Sequence, residues 1–177
     1  MRLPLPFHCV LQPWKLEFLE DLMKASNYPE IARFMAPEFP CPYNETTGLA
    51  FLKQAMSDNP TQAFAIMVGT KIVGSIAVQP NKETNMRAAE IGYWLSPPYW
   101  NRGIASASIA CITNYAFSTW DIAIMYSEVH PDNKASTKAL ERNGFSNKFV
   151  LPPEMLKRFA TVNNLLFVKT NLPTTAN

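Results

Sequence analysis

The sequence predicts an α/β fold, and three observations carry that prediction. Apolar runs of strand length alternate with stretches whose apolar residues recur at helical spacing. The chain has 177 residues and is 47% apolar, which suits one domain with a sizeable core. The stretch from Ala89 to Ser106, AEIGYWLSPPYWNRGIAS, runs from a strand through a turn to a glycine at a helix start. Ala88 to Leu95 is short, apolar and aromatic, as a strand should be. Pro97 and Pro98 end it, and Asn101, Arg102 and Gly103 open a helix to about Ser118.

Taken in order, Phe7 to Leu11 reads as a first strand. Leu16, Leu19, Leu22 and Met23 recur at helical spacing, so Trp14 to Ala25 reads as an amphipathic helix, with Pro13 in its first turn. A short helix follows over Pro29 to Met35. Met35 to Tyr43 carries three prolines and reads as a loop. Asn44 caps the next helix, whose apolar face is Leu49, Phe51, Leu52, Ala55 and Met56. Gln62 to Val68 and Lys71 to Gln79 form a hairpin across Gly69-Thr70, with Gly74 marking a bulge or a close backbone approach. Asn81 to Arg87 is a polar loop before the strand Ala88 to Leu95. In the helix after Gly103, Ala105, Ile109, Ile112 and Ala116 share one face. Ile122 to Val129 is the next strand. A helix begins at Asn133 and closes at Gly144, a C′ residue in the left-handed region. Phe145 to Leu151 is a strand, Pro152 to Thr161 is partly helical, and Leu165 to Lys169 is the last strand. The whole chain, 1–177, reads as a single domain with a frayed tail over 174–177.

Composition narrows the function. A net charge of +2 gives no general pull towards nucleic acid or an anionic membrane. Cys9, Cys41 and Cys111 are odd in number and widely spaced, which fits a reduced, cytoplasmic chain. With two histidines and no cysteine-pair motif, no metal site is expected. The N-terminus is broken by Pro4 and Pro6 and lacks a signal-peptide pattern, and no apolar run approaches the roughly 18 residues of a membrane span. Cys111 reads as a small buried residue, not a nucleophile.

The stretch around Gly103 carries the chemistry. Glycine lets a ligand approach the backbone, and the first amides of a helix have no internal partners and sit at the positive end of its dipole. Such a place suits a pyrophosphate. For the isolated tripeptide a tight strand-to-helix turn with no ligand is the commoner reading, and the flanking residues reverse that order. The spacing Trp100-x-x-Gly103-x-Ala105 resembles the coenzyme A pyrophosphate loop of the GNAT acetyltransferases, with Trp100 where glutamine or arginine is usual. The wider phrase, and EVHPDNKASTKALERNGF from Glu128, resemble the RimJ/RimL-type branch.

This resemblance implies the GNAT fold: a mixed twisted sheet of about seven strands, a splayed central strand pair and helices on both faces. It implies acetyl-CoA as cosubstrate, bound by Tyr93, Trp94 and Leu95 at the strand's end, with Gly92 allowing a bulge that opens the gap. Asn101, Arg102, Gly103, Ile104, Ala105 and Ser106 would hold the pyrophosphate. Asn133 would bond to the pantetheine arm, where capping alone is the plainer reading. Ser136 would lie near the sulfur, as the matching serine does in RimL-like enzymes, and Leu140 stands where many other relatives carry a tyrosine acid. Glu90 is the candidate base; it reads equally as a structural strand carboxylate. Phe39 and Tyr43 would contact the acceptor, unless that loop is only a packed connection or a dimer contact. The expected activity is direct acetyl transfer to a primary amine, of a peptide N-terminus or a small molecule. A GNAT-fold protein that binds acyl-CoA without turnover is the alternative. A Rossmann module is a poor fit, since no glycine-rich loop follows the first strand. No nucleic acid or membrane partner is expected, and the chain would be a monomer or homodimer.

Overall fold

The computed structural model describes residues 1–81, 87–147 and 164–171. Seven strands make one sheet in sequence order: β1 (Leu3–Leu5), β2 (Cys9–Pro13), β3 (Ala63–Val68), β4 (Lys71–Pro80), β5 (Ala88–Leu95), β6 (Ile124–Val129) and β7 (Leu165–Thr170). All neighbours are antiparallel except β5 and β6. Parallel neighbours need a crossover, and helix α4 (Ile104–Thr119) supplies it. Helices α1 (Leu19–Ser26), α2 (Pro29–Ala32) and α3 (Glu45–Ser57) precede the β3–β4 hairpin, and α5 (Lys134–Arg142) follows β6.

The sheet has a core on each face. Leu11, Phe64, Ile66, Ile76 and Ile91 pack with Ile109 and Ile112 of α4 and Leu140 of α5. On the other face Trp14, Ala65, Met67 and Trp94 pack with Leu22 of α1 and Leu52 of α3. Helices therefore cover both faces. Asn44 starts α3 with a capping box: its carboxamide oxygen accepts from the Thr47 amide at 3.0 Å, and Thr47 Oγ1 accepts from the Asn44 amide.

Several elements differ from the reading above. The N-terminus is a hairpin, β1 and β2, not one strand. Its turn residues Phe7 and His8 have φ of 63° and 56°, a conformation usually signalled by Asn or Gly. Pro13 ends β2 opposite Phe64 and does not open a helix. A 3-10 turn at Leu16–Phe18 leads into α1. Met56 is exposed. In α4 the buried face begins at Ile104, while Ala105 is only half-buried. Helix α5 ends as expected in a Schellman turn, with the Phe145 amide on the Leu140 carbonyl, the Gly144 amide on Glu141, and Gly144 at φ 78°. Ser146 bridges Val168. The rest of the strand expected to Leu151, the helical part of 152–161, the tail 174–177 and most of the 81–87 loop lie outside the described residues.

The feature that positions the site is a split between β5 and β6. They pair only at Ala88↔Ile124, Ala89↔Met125 and Glu90↔Tyr126. Beyond that point β5 stays with β4 to Leu95↔Gly74, and β6 stays with β7 to Val129↔Leu165. The closed end is pinned by Arg87. Its carbonyl accepts from the Ala123 and Ile124 amides, and its guanidinium pairs with Asp121. Gly92 makes no bulge, because the β4–β5 register runs through it unbroken. The gap comes from divergence of the strands. A bulge does exist one strand over, where Ile66↔Gly74 is followed by Met67↔Ile72.

Gly74 is the close approach. A Cβ there would lie 2.4 Å from the Trp94 carbonyl oxygen and 2.9 Å from Leu95 Cδ1. At Gly92 a Cβ would meet nothing within 4 Å. Gly74→Ala should therefore destabilise the protein by about 3 kcal/mol, as overpacking against backbone does. Gly92→Ala should stay within about 0.5 kcal/mol of the parent. Thermal denaturation of the two variants checks the contrast.

Candidate active site

The split strands open a cleft of about 860 Å³. Its floor is the free edge of β5. Backbone groups alternate along a strand. The odd-numbered Arg87 points its carbonyl to the β6 side, and the even-numbered Ser96 donates its amide to Val73 next to β4. The amide and carbonyl of Tyr93 and the amide of Leu95 thus face the gap. The Leu95 carbonyl faces it too, and it accepts from the Trp100 indole at 2.6 Å. Trp100, the unusual residue of the turn, satisfies an edge that the missing strand pairing would leave bare.

One end of the cleft is the start of α4. A 3-10 turn at Pro97–Tyr99 leads to Asn101 (φ 59°) and Gly103 (φ 75°), two left-handed residues that turn the chain into the helix. The first intrahelical bond is Ala107 to the Gly103 carbonyl at 3.0 Å. The Ile104, Ala105 and Ser106 amides therefore precede any intrahelical acceptor. The Arg102 guanidinium lies over the Tyr99 ring, 5.3 Å from its centroid. Lys138 and Arg142 of α5 also line the cleft. The arrangement suits an anion: free amides, the helix dipole and three cations.

The wall opposite is α5. Asn133 caps it, its Oδ1 accepting from the Ser136 amide at 3.1 Å. Ser136 Oγ lies 2.6 Å from the Tyr93 hydroxyl. Burial pushes the Tyr93 phenol up to about 12, so it stays protonated at neutral pH. Asn143, at the far end of α5, donates to Ser106 Oγ at 3.0 Å and to the Ser106 carbonyl at 3.1 Å. That ties α5 to the first turn of α4.

Twelve of the residues expected from sequence meet on one cleft: Glu90, Tyr93, Trp94, Leu95, Asn101, Arg102, Gly103, Ile104, Ala105, Ser106, Asn133 and Ser136 all line it, whereas Leu140 lies fully buried on the core side of α5. Trp94 sits in the core on the α1–α3 face, so the period of two puts Glu90 and Gly92 on that face, opposite Tyr93. Phe39 and Tyr43 do not line the cleft. Tyr43 is buried, held by Asn27 and with its phenol pushed up to about 12 by burial. Phe39 packs edge-on against Tyr43 and Trp94. The same segment reaches the cleft earlier, through Phe34, Met35 and Pro37. Sequence reasoning missed these, and also Lys138 and Arg142, although Lys134, Lys138 and Arg142 recur every four residues on one face of α5. Among the described residues no group of three His, Cys, Asp or Glu side chains could hold a metal ion.

A family model for the acetyltransferase (GNAT) domain matches residues 8–146. An N-acetyltransferase named YoaA, from Bacillus subtilis, is 33% identical over 81 residues, which span 46% of this chain and 45% of that protein's own length. One named p20, from Bacillus licheniformis, is 24% identical over 147 residues, 80% of each chain. Mycobacterium smegmatis RimJ, solved in complex with CoA-disulfide, superposes with a TM-score of 0.78 at 18% identity, covering 100% of this chain and 89% of RimJ.

Alkaline titration tests the buried phenol. Tyr93→Phe should remove one tyrosinate transition near pH 12 from the absorbance curve, above the usual 10. A raised folded-state value favours the protonated form. Its stabilising contribution is intact below pH 10 and is lost as the pH climbs towards 12. The parent should therefore lose stability faster than Tyr93→Phe across that window.

Proposed function

Because this chain belongs to the GNAT acetyltransferase family, we propose that it transfers the acetyl group of acetyl-CoA to a primary amine within a ternary complex. The observation that carries this reading is the free β5 edge opening onto the same cleft as the unpartnered amides of α4. A pantetheine arm carries two amides, which suit an edge that lacks its strand partner. The pyrophosphate goes to the Ile104, Ala105 and Ser106 amides at the turn Asn101-Arg102-Gly103. Arg102, Lys138 and Arg142 supply positive charge for the phosphates.

Acetyl transfer needs a polarised thioester, a neutral amine and a stabilised thiolate. An amide at Tyr93 to Leu95 faces the gap and polarises the carbonyl. Ser136 donates to the leaving sulfur. Glu90 accepts the amine proton, directly or through water. Glu90 and the Tyr93–Ser136 pair lie towards opposite faces of the sheet. The amine can then approach the acetyl carbon from one side while sulfur departs on the other. Direct transfer suits the cysteines, since burial raises the Cys9 and Cys111 thiols away from thiolate. The acceptor is a peptide or protein α-amine, with Phe34 to Pro37 as its wall and Phe39 bracing Trp94 behind. Cys9, Cys41 and Cys111 are free, which accords with a cytoplasmic setting, and among the described residues no helix is long and apolar enough to cross a membrane.

Titration calorimetry with acetyl-CoA tests the cofactor site. The parent should bind, and a folded Ala105→Glu variant should lose at least about 100-fold in affinity by placing a carboxylate against the pyrophosphate. No binding by the parent would sink the reading. In a thiol-release assay over a panel of peptide and small amines, Glu90→Gln should lower kcat by about 100-fold with little change in the KM for acetyl-CoA. An unchanged kcat would remove Glu90 from the chemistry.

A further inference from the structure

We propose that Tyr93 is a positioning residue whose phenol donates to Ser136 Oγ, so that the Ser136 proton is directed at the thioester sulfur. This rests on the acetyl-transfer reading. The two hydroxyls belong to different elements, β5 and the first turn of α5, and they meet at 2.6 Å across the cleft. Both lining residues are held. The Tyr93 ring packs against the core under α4 and α5. The Ser136 amide is fixed by Asn133 at 3.1 Å. The Tyr93 oxygen is also 3.4 Å from the Ser136 carbonyl, too long to compete with the shorter contact.

The direction of the bond decides what Ser136 can do. A serine hydroxyl has one proton and two lone pairs. Were Ser136 the donor to Tyr93, its only proton would be used and none would remain for a ligand. A phenol oxygen shares its lone pair with the ring, so it donates better and accepts worse than an aliphatic hydroxyl. With Tyr93 donating, Ser136 keeps its proton for the cleft. Accepting a hydrogen bond also strengthens the one that Ser136 gives, since bonds in a chain polarise one another. Burial keeps the phenol protonated through the neutral range.

The step balances without a proton from either residue. The amine nitrogen bonds to the acetyl carbon, the C–S bond breaks, and its electron pair goes to sulfur. The Ser136 O–H hydrogen-bonds the thiolate, and the proton lost by the amine goes to Glu90 or water. The Tyr93 phenol therefore acts through Ser136 and touches no reacting atom. Leu140, an apolar side chain at 0% exposure, cannot serve in this role, and the hydroxyls come instead from Tyr93 on β5 and Ser136 on α5.

The test needs no acceptor. Coenzyme A itself is bound, and its thiol is titrated by thiolate absorbance, with desulfo-CoA on the same variant as the blank. Glu90, Glu128, His130, Asp132, Lys134 and Lys138 also face the cleft, so each comparison is made between variants that keep them all. The bound thiol should titrate below free CoA in the parent. Tyr93→Phe should raise it by about one unit, a 10-fold loss of thiolate stabilisation, while its calorimetric Kd for CoA stays within about 2-fold. Ser136→Ala should raise it at least as far, and the double variant should match Ser136→Ala alone. An unshifted Tyr93→Phe, or a double variant that exceeds Ser136→Ala, overturns the relay. A parent that does not bind CoA instead overturns the acetyl-transfer reading on which it rests.

Discussion

Everything in the site depends on the parting of two parallel strands. After three residue pairs β5 and β6 separate, each staying with its outer neighbour. Backbone groups are obligatory hydrogen-bonding groups, so an edge left open inside a sheet must find other partners. One is internal: the Trp100 indole takes the Leu95 carbonyl. The Tyr93 amide and carbonyl and the Leu95 amide remain directed into the gap. A ligand with alternating donors and acceptors along an extended arm fits such an edge as a strand would. Trp100 also accounts for a departure from the family motif. A glutamine or arginine side chain at that position would not present the same rigid donor to Leu95.

Holding two strands apart requires anchoring each of them. β5 is fixed on both faces, by Trp94 in one core and by Ile91 and Leu95 in the other. Gly74 lets β4 come against its end. Arg87 clamps the closed end through both backbone and side chain. The cleft's other walls are linked to each other, not only to the sheet. Asn143 joins α5 to the first turn of α4, and Lys169 of β7 donates to the Asn143 carbonyl at 2.8 Å. The anion end and the hydroxyl pair are thus spaced by a continuous set of packed elements, which is what preorganisation of a reacting thioester requires.

Much of this was legible because it is local. The strand Ala88 to Leu95, the helix start at Gly103, the Asn44 and Asn133 caps and the Gly144 stop each follow from residues within a few positions of one another. What failed was of two kinds. The turn at Phe7 and His8 puts two ordinary residues in a left-handed conformation, so no glycine or asparagine announced the first hairpin. In α4 the expected face is buried at Ile109, Ile112 and Ala116, but it begins at Ile104 and not at Ala105. The rest was long-range. Nothing in the order of residues reveals that the Tyr93 hydroxyl meets Ser136, 43 positions away. Nor does the proline-rich loop reveal that Tyr43 turns inward to Asn27 while Phe34 and Pro37 face the cleft. Such contacts are set by how elements pack, and a single sequence carries them only implicitly.

The most direct measurement is amide hydrogen exchange across β5, resolved by residue, with and without coenzyme A. The open-edge account predicts that the Tyr93 and Leu95 amides exchange quickly in the free protein, while Gly92 and Trp94, facing β4, are slow. Coenzyme A should slow Tyr93 and Leu95, together with Ile104 to Ser106 at the start of α4. If coenzyme A binds and leaves Tyr93 and Leu95 unchanged, the gap between β5 and β6 is not where its arm lies, and the central claim is wrong.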